Sequence, residues 1–523
     1  MKFRQYFLAL IFLLSYVPIL AQVDTAWVRR YSGSANGDDL ARALAVDKTG
    51  NVYVTGESWG SGTQKDFATI KYAPNGDTLW VRRYNGPGNG YDAASALVVD
   101  TVGNVYVTGY VGSGSSADYA TIKYAPNGDT LWLRRYSGPG NNIDVARALA
   151  LDKAGNVYVT GGSISTVSPD YDYATIKYAP NGGTLWVRRY NGPGNSYDDA
   201  SALALDTAGN LYVTGSSYGG SGTNFDYATI KYAPNGDTLW VRRYNGPGNG
   251  SDGARALALD KAGNVYVTGT SISTVSPDYD YATIKYAPNG DTLWVRRYNG
   301  PVNDLDDASA LAVDDSGNVY VTGYSYGSGT SQDYVTIKYA PNGDTLWVRR
   351  YNGTGNFQDR PSALALDTAG NVYVSGYGRG SGSFDDYATI KYAPNGDTLW
   401  VRRYNGTENS DDYASALALD TAGNLYVTGY SYGSGFNYDY ATIKYIQLAC
   451  TAKPGDANAD GNILLPDIIT IINFLFKGAP APNPLCRGDA NGNGTVLLPD
   501  IIYLVNFLFK SGPAPIKSQE CCL

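Results

Sequence analysis

The chain has 523 residues, a formal net charge of −8, 63 glycines, 47 tyrosines, one methionine and no histidine. That length exceeds what one hydrophobic core organises, and so uneven a composition is what many copies of one short unit produce. The mild acidity comes with no basic stripe, which argues against a nucleic-acid partner, and without histidine neither a serine-type triad nor a histidine-ligated metal site can be built.

In chain order, residues 1–21 read as a signal peptide, with Lys2 and Arg4 ahead of an apolar run from Tyr6 to Leu20 and the small Ala21 at the cleavage point. The expected location is extracellular, free or attached to the cell surface. An apolar run of about fifteen residues spans a bilayer poorly, so no membrane insertion of the mature chain is expected.

Residues 22–446 repeat one unit. Its Trp markers, Trp27, Trp80, Trp132, Trp186, Trp240, Trp294, Trp347 and Trp400, recur every 52 to 54 residues, the length of a propeller blade. Each unit carries four β-rich strings in fixed order, here called strand a (ALAxD), b (NVYVTG), c (DYATIKY) and d (LWVRRY). Short turns, D-x-x-G-N between a and b and A-P-N-G-D between c and d, make the unit an antiparallel meander. Val52 and Val54 alternate with Tyr53 and Thr55, and Leu79 and Val81 with Trp80 and Tyr84, so both sheet faces need cover, as stacked blades provide. The first strand, at Trp27, is type d and the last, Ala441 to Tyr445, is type c. The reading is an all-β eight-bladed propeller of four-stranded blades, closed by one strand from the start and three from the end, which leaves no open edge. The stretches ALALDTAGNVYVTG and DYATIKYAPNGDTLWVRRYNG resemble SBBP-type bacterial β-propeller repeats over residues 23 to 446. That resemblance implies the fold and an extracellular setting; a propeller hosts binding and catalysis alike.

The a–b and c–d turns are nearly invariant, whereas the b–c and d–a loops vary and carry Tyr, Ser, Asn, Asp and Gly, so a ligand is expected on their face. Two Asp series recur there: Asp39, Asp92, Asp144, Asp198, Asp252, Asp306, Asp359 and Asp412 at strand a, and Asp66, Asp118, Asp172, Asp226, Asp280, Asp333, Asp386 and Asp439 at strand c. The first could form an acidic ring, but the expected duty is structural, bonding nearby amides with the strand d arginines as neutralising partners. Paired carboxylates are the one enzymatic option. The candidates are Glu57, read in the b–c loop of blade one, and Glu408 in the d–a loop before blade eight, which share a sector across the seam. Trp59, Arg360 and Arg379 also break the symmetry, and drift among duplicated units accounts for all of these.

Residues 447–523 change character. Two segments 33 residues apart, GDANADGNILLPDIITIINFLFKGAPAP and GDANGNGTVLLPDIIYLVNFLFKSGPAP, each read as an oxygen-rich loop followed by an amphipathic helix, a small EF-hand-like domain. Asp456, Asn458, Asp460, the Asn462 carbonyl and Asp467 fall at positions 1, 3, 5, 7 and 12 of a calcium loop, and Asp489, Asn491, Asn493, the Thr495 carbonyl and Asp500 repeat them. Two Ca²⁺ sites are expected, the second weaker because Asn493 replaces an aspartate. The pair resembles a type I dockerin over residues 454 to 512, which implies docking onto a cohesin-like or cell-surface protein. It departs where many dockerins carry Ser or Thr, having Leu465–Pro466 and Leu498–Pro499. Cys450, Cys486, Cys521 and Cys522 are expected to be oxidised, each of the last two joining one of the first two.

The functional reading is a secreted, calcium-binding, non-catalytic interaction protein, with the propeller holding a glycan or protein ligand and the tail serving assembly or surface attachment. The alternatives are an extracellular glycoside hydrolase or lyase in polysaccharide catabolism and a structural cell-surface component.

Overall fold

A computed structural model describes residues 23–447, apart from 114, 166–169, 221–223, 275–277, 381 and 383, and residues 454–482, 487–493 and 495–516. The expected signal peptide and all four cysteines lie outside the described residues. Two compact units are present, Asp24–Ile446 and a C-terminal unit from Gln447.

The first unit is an eight-bladed β-propeller. Blade four shows the plan: strands a to d are Asp198–Leu205, Leu211–Tyr218, Phe225–Tyr232 and Thr238–Tyr244, hydrogen-bonded in that order. Seven blades are built this way, and in the eighth Val23–Tyr31 supplies strand d beside Asp412–Leu419, Leu425–Tyr432 and Tyr438–Gln447. Strand a of each blade packs against strand a of the next, and Asp39–Val46 touches both Asp92–Val99 and Asp412–Leu419, so the ring is closed.

The hydrophobic core lies between blades. Tyr158, Tyr173 and Trp186 of blade three pack on Ala200, Leu211, Val213, Ala228, Ile230 and Tyr232 of blade four, an aromatic face against an aliphatic one, and the same combination recurs round the ring. At the seam Trp27, Tyr426 and Tyr440 meet Val52, Val54, Ala68 and Ile70. Each blade therefore buries both faces only in the presence of its neighbours.

Polar fasteners explain why the strings are invariant. Trp186 Nε1 donates to the Pro234 carbonyl (3.2 Å) and Arg188 Nε to the Gly236 carbonyl (2.7 Å), both in the A-P-N-G-D turn of the next blade. Lys177 Nζ reaches the same Pro234 carbonyl at 3.0 Å, and the buried Tyr173 hydroxyl donates to the Ala228 carbonyl at 3.2 Å. The a–b turn is closed by its own aspartate, Asp47, which accepts from the Asn51 and Thr49 amides and from the Tyr53 hydroxyl, with Gly50 at φ +82°.

Strand a carries one β-bulge in every blade, in blade four between Ala200 and Ala202, so that Ser201 is the extra residue. A bulge re-aims the side chain it inserts. It also brings the strand a backbone against strand b: a Cβ at Gly215 would lie 2.1 Å from the Asp199 carbonyl oxygen, which is why T-G or S-G recurs in every strand b.

In the C-terminal unit two helices, α1 (Leu465–Lys477) and α2 (Leu498–Lys510), pack around Ala457, Ile468, Ile471, Ala490, Val496, Ile501 and Leu504. No described helix is long and apolar enough to cross a membrane.

Candidate functional site

Both Asp series prove to be framework. Asp198 is fully buried and accepts the Gly192 amide at 2.6 Å and the Tyr218 amide at 3.1 Å, tying the d–a loop to the end of strand b. Burial pushes its carboxyl up to about 6, as it does for Asp92, Asp306 and Asp412. Asp359 rises to about 7, again through burial, with the nearby Asp333 carboxylate adding to it. The strand d arginines do not neutralise this series, contrary to expectation. Arg243 Nη2 instead binds Asp226 of the second series at 2.7 Å, the Ser217 carbonyl at 2.9 Å and, through Nη1, the Tyr190 hydroxyl of the preceding blade at 3.1 Å. The reason is topological: strand c, not strand a, lies beside strand d.

The residues that do differ between blades gather at one end of the ring axis. They are the second and fourth residues of strand a, the fourth being the bulged one, and the sixth of strand b. The fourth position reads Arg42, Ser95, Arg147, Ser201, Arg255, Ser309, Ser362 and Ser415; the second includes Asp199, Asp307, Arg360 and Tyr413; the sixth of strand b includes Glu57, Tyr110, Ser216, Thr270, Tyr324, Tyr377 and Tyr430. Around blades three to six they line a cavity of about 710 Å³, and around blades seven, eight, one and two a cavity of about 480 Å³.

Within the larger cavity, guanidinium–carboxylate pairs bridge adjacent blades. Arg147 binds Asp199 through Nε (3.0 Å) and Nη2 (2.6 Å), and Arg255 binds Asp307 through Nε (3.1 Å) and Nη2 (3.0 Å). The arginines are about half exposed and the aspartates largely covered, and burial raises the Asp307 carboxyl against the pull of Arg255. The smaller cavity is aromatic: Tyr377 and Tyr413 meet edge to face at 4.7 Å and Tyr413 lies 5.2 Å from Tyr430.

The sequence-predicted carboxylate pair is not assembled. Glu57 lies within strand b of blade one, Val52–Trp59, rather than in a loop, and is buried. Its Oε1 accepts from Arg42 (3.1 Å), Lys65 Nζ (3.0 Å) and the Tyr91 hydroxyl (2.9 Å). Glu408 is exposed in its loop, accepts only a 3.4 Å contact from Thr407 Oγ1 among its described bonds, and does not line the cavity that Glu57 lines. Arg360 lies over the Tyr324 ring at 4.6 Å and bonds Gln332, and Arg379 lies over Phe357 at 4.8 Å. The Trp59 amide serves ring residue Asp39.

In the C-terminal unit the predicted ligand residues occupy two matching loops. Asp467 accepts the Asn458 and Leu464 amides (3.1 and 2.8 Å), and Asp500 accepts the Asn491 and Leu497 amides (3.1 and 2.9 Å). Asp456 is buried; its Oδ2 receives Gly461 N at 3.2 Å and Arg487 Nη1 at 2.6 Å, while its Oδ1 is buried without a hydrogen-bond partner. Asp460 accepts the Asn462 amide, and Asn493 the Thr495 amide and hydroxyl. Asp489 receives the Asn493 amide at 3.0 Å. Among the described residues no group of three or more His, Cys, Asp or Glu side chains is drawn together as a metal cluster.

A closed ring of eight such four-stranded sheets makes the chain a β-propeller repeat protein. Six segments, residues 26–62, 131–167, 185–222, 239–275, 293–329 and 399–437, match the SBBP beta-propeller repeat. An uncharacterised WD repeat-containing protein of Acanthamoeba polyphaga mimivirus is 24% identical over 330 residues, covering 54% of this chain and 22% of that protein. Among solved structures, polysaccharide lyase Uly1 aligns over 81% of this chain and 99% of its own at 11% identity (TM-score 0.44), and a eukaryotic initiation factor over 72% and 81% at 7% identity (TM-score 0.39).

Proposed function

We propose that the chain is an extracellular, non-catalytic interaction protein, in which the propeller takes a ligand at its axial mouth and the C-terminal unit serves as a calcium-dependent attachment module. One observation carries the first half. Leu79, Leu131, Leu185, Leu239, Leu293 and Leu346 on strand d are 52–54% exposed, yet identical in these six blades, with Ala26 at the same place in blade eight. Exposed positions tolerate substitution at about 0.5 kcal/mol or less, so drift would have altered them first. Change also falls on the exposed a–b turns, as at Lys48, Thr101 and Asp315, but at the mouth and its loops it introduces Tyr, Ser, Arg and Asp, the residues of adaptable polar recognition. The Glu57 carboxylate, occupied by two cations and a phenol, is poorly placed to act as general acid or base.

For the second half, the all-oxygen donor set and the orphaned, buried Asp456 Oδ1 suit a hard cation. Asp456, Asn458, Asp460, Asn462 and Asp467 would hold Ca²⁺ in the first loop, and Asp489, Asn491, Asn493, Thr495 and Asp500 in the second. Bound calcium would neutralise carboxylates buried in a small core and stiffen the face presented to a cohesin-like or cell-surface partner.

The test is an array of glycans and surface proteins probed with the secreted chain, with and without chelator, alongside a polysaccharide-hydrolysis assay. Binding without turnover is expected, and release of sugars would overturn the non-catalytic reading.

A further inference from the structure

The charge balance and chemistry of the mouth narrow what it can hold. Two guanidiniums lining the larger cavity are matched, Arg147 by Asp199 and Arg255 by Asp307, and in the smaller cavity Arg42 is matched by Glu57. Arg360, over the Tyr324 ring and bonded to Gln332, has no ion-pair partner among the described residues. An anionic ligand such as a phosphate or sulfate ester would meet that one cation alone unless it broke these pairs, leaving carboxylates behind in largely covered positions. An apolar ligand would strand the same groups without water. What the pairs leave free is suited to something else. An arginine bound bidentately to a carboxylate still presents outward N–H donors, and the carboxylate keeps unused lone pairs, so each pair offers a donor and an acceptor side by side. Two such pairs occupy consecutive blades, three with four and five with six, with the hydroxyls of Ser201, Ser216, Thr270 and Ser309 in the same cavity. Across the axis, the Tyr377, Tyr413 and Tyr430 rings provide flat apolar faces with polar tips.

On the reading that the propeller is a binding protein, we infer that this mouth binds a neutral, polyhydroxylated chain, the unsubstituted end of an oligosaccharide. Adjacent hydroxyls, each both donor and acceptor, engage the Arg147–Asp199 and Arg255–Asp307 pairs, and the C–H faces of the sugar rings lie against the tyrosines. Cavities of 710 and 480 Å³ fall within the range of about 300–1,000 Å³ that encloses a ligand a few rings long. Recognition comes from the strands of the blades and not from the loops above them, which holds the paired groups at fixed spacing. The occupant is set by hydrogen-bond pattern, and binding is insensitive to salt because no net charge is exchanged.

The experiment uses the full secreted chain and short fragments of three polymer classes as probes: neutral (β-glucan, xylan, mannan), carboxylated (polygalacturonate, alginate) and sulfated. Affinities are measured by calorimetry at about 50 mM and about 500 mM salt. The comparison proteins are the charge-neutral double variant Arg147→Ala/Asp199→Ala, the single variant Arg255→Lys, which keeps the charge and loses the fork, and Tyr413→Ala, each checked for an unchanged melting curve. Binding of a neutral fragment that changes less than about twofold with salt, weakens at least about tenfold in the double variant and several-fold in Arg255→Lys and Tyr413→Ala supports the inference. Salt-sensitive binding of carboxylated or sulfated fragments only, lost in the same variants, overturns the ligand class and leaves the mouth as the binding site. Neutral binding that all three variants retain overturns the location. No binding of any class by the folded chain overturns the inference, and if protein partners also fail on the array, the binding-protein reading falls with it.

Discussion

Replacing Arg243 tests how the blades are held in register. Its guanidinium bonds Asp226 and the Ser217 carbonyl within blade four and the Tyr190 hydroxyl of blade three. The Asp226 side chain is 7% exposed and its Oδ1 has no partner, so Arg243→Ala leaves a buried carboxylate with no cation. Breaking a buried pair from one side costs about 3–5 kcal/mol. Because the arginine is 22% exposed, water can partly replace it, and the lower end, about 3 kcal/mol, is the expected loss. Arg243→Lys keeps the charge but not the fork and should cost about 1–2 kcal/mol. Arg243→Gln combined with Asp226→Asn should cost less than the two single changes added together. Chemical denaturation of the parent and these five variants measures this. A loss under about 0.5 kcal/mol for Arg243→Ala, or a lysine variant as stable as the parent, would refute the clamp.

Because burial raises the ring aspartates to about 6, and Asp359 to about 7, the folded state holds protons that the unfolded chain releases near pH 4. Their contribution is complete below about pH 4 and is lost as pH rises through 6 to 7, so the melting temperature should rise from about pH 8 to about pH 5, and less so in Asp359→Asn. Asp47, Asp260 and Asp314, held below the usual range by turn hydrogen bonds despite partial burial, oppose this only in stronger acid. Gly215→Ala should prevent stable folding of the ring, since its Cβ would sit 2.1 Å from a backbone oxygen that cannot move without undoing the bulge; a melting curve like the parent's would contradict that. If the C-terminal loops bind Ca²⁺ as proposed, Asn493→Asp adds a charge to the second loop and should tighten its binding step by roughly tenfold, about 1.4 kcal/mol, in a calorimetric titration.

The ring was legible because the signals that specify it are local and repeated: a Trp every 52 to 54 residues, turns of fixed composition, and strands apolar on both faces. The clasp followed from strand types at the two ends, and the order Val23–Tyr31, Tyr438–Gln447, Leu425–Tyr432, Asp412–Leu419 across the sheet of blade eight bears it out. The mouth was not legible. Read along the chain, Arg147, Ser201 and Tyr413 are scattered changes in otherwise constant strands, and only the bulge in strand a and closure of the ring bring them into one sector. Setting the eight repeats beside one another, strand position by strand position, would have exposed it. Glu57 was misplaced because strand b runs on past its glycine, and the Arg–Asp pairing because side-by-side strands, not sequence distance, choose partners. The constancy of A-P-N-G-D likewise needed the neighbouring blade, whose Trp and Arg hold that turn.

The most direct measurement is hydrogen exchange of the full chain with and without a saturating mixture of neutral β-glucan, xylan and mannan fragments. The account predicts added protection confined to strands a and b of the blades lining the mouth, such as 198–218 and 306–326, with the strand d rim unchanged. Protection on the rim or in the C-terminal unit, with the mouth unaffected, would contradict it.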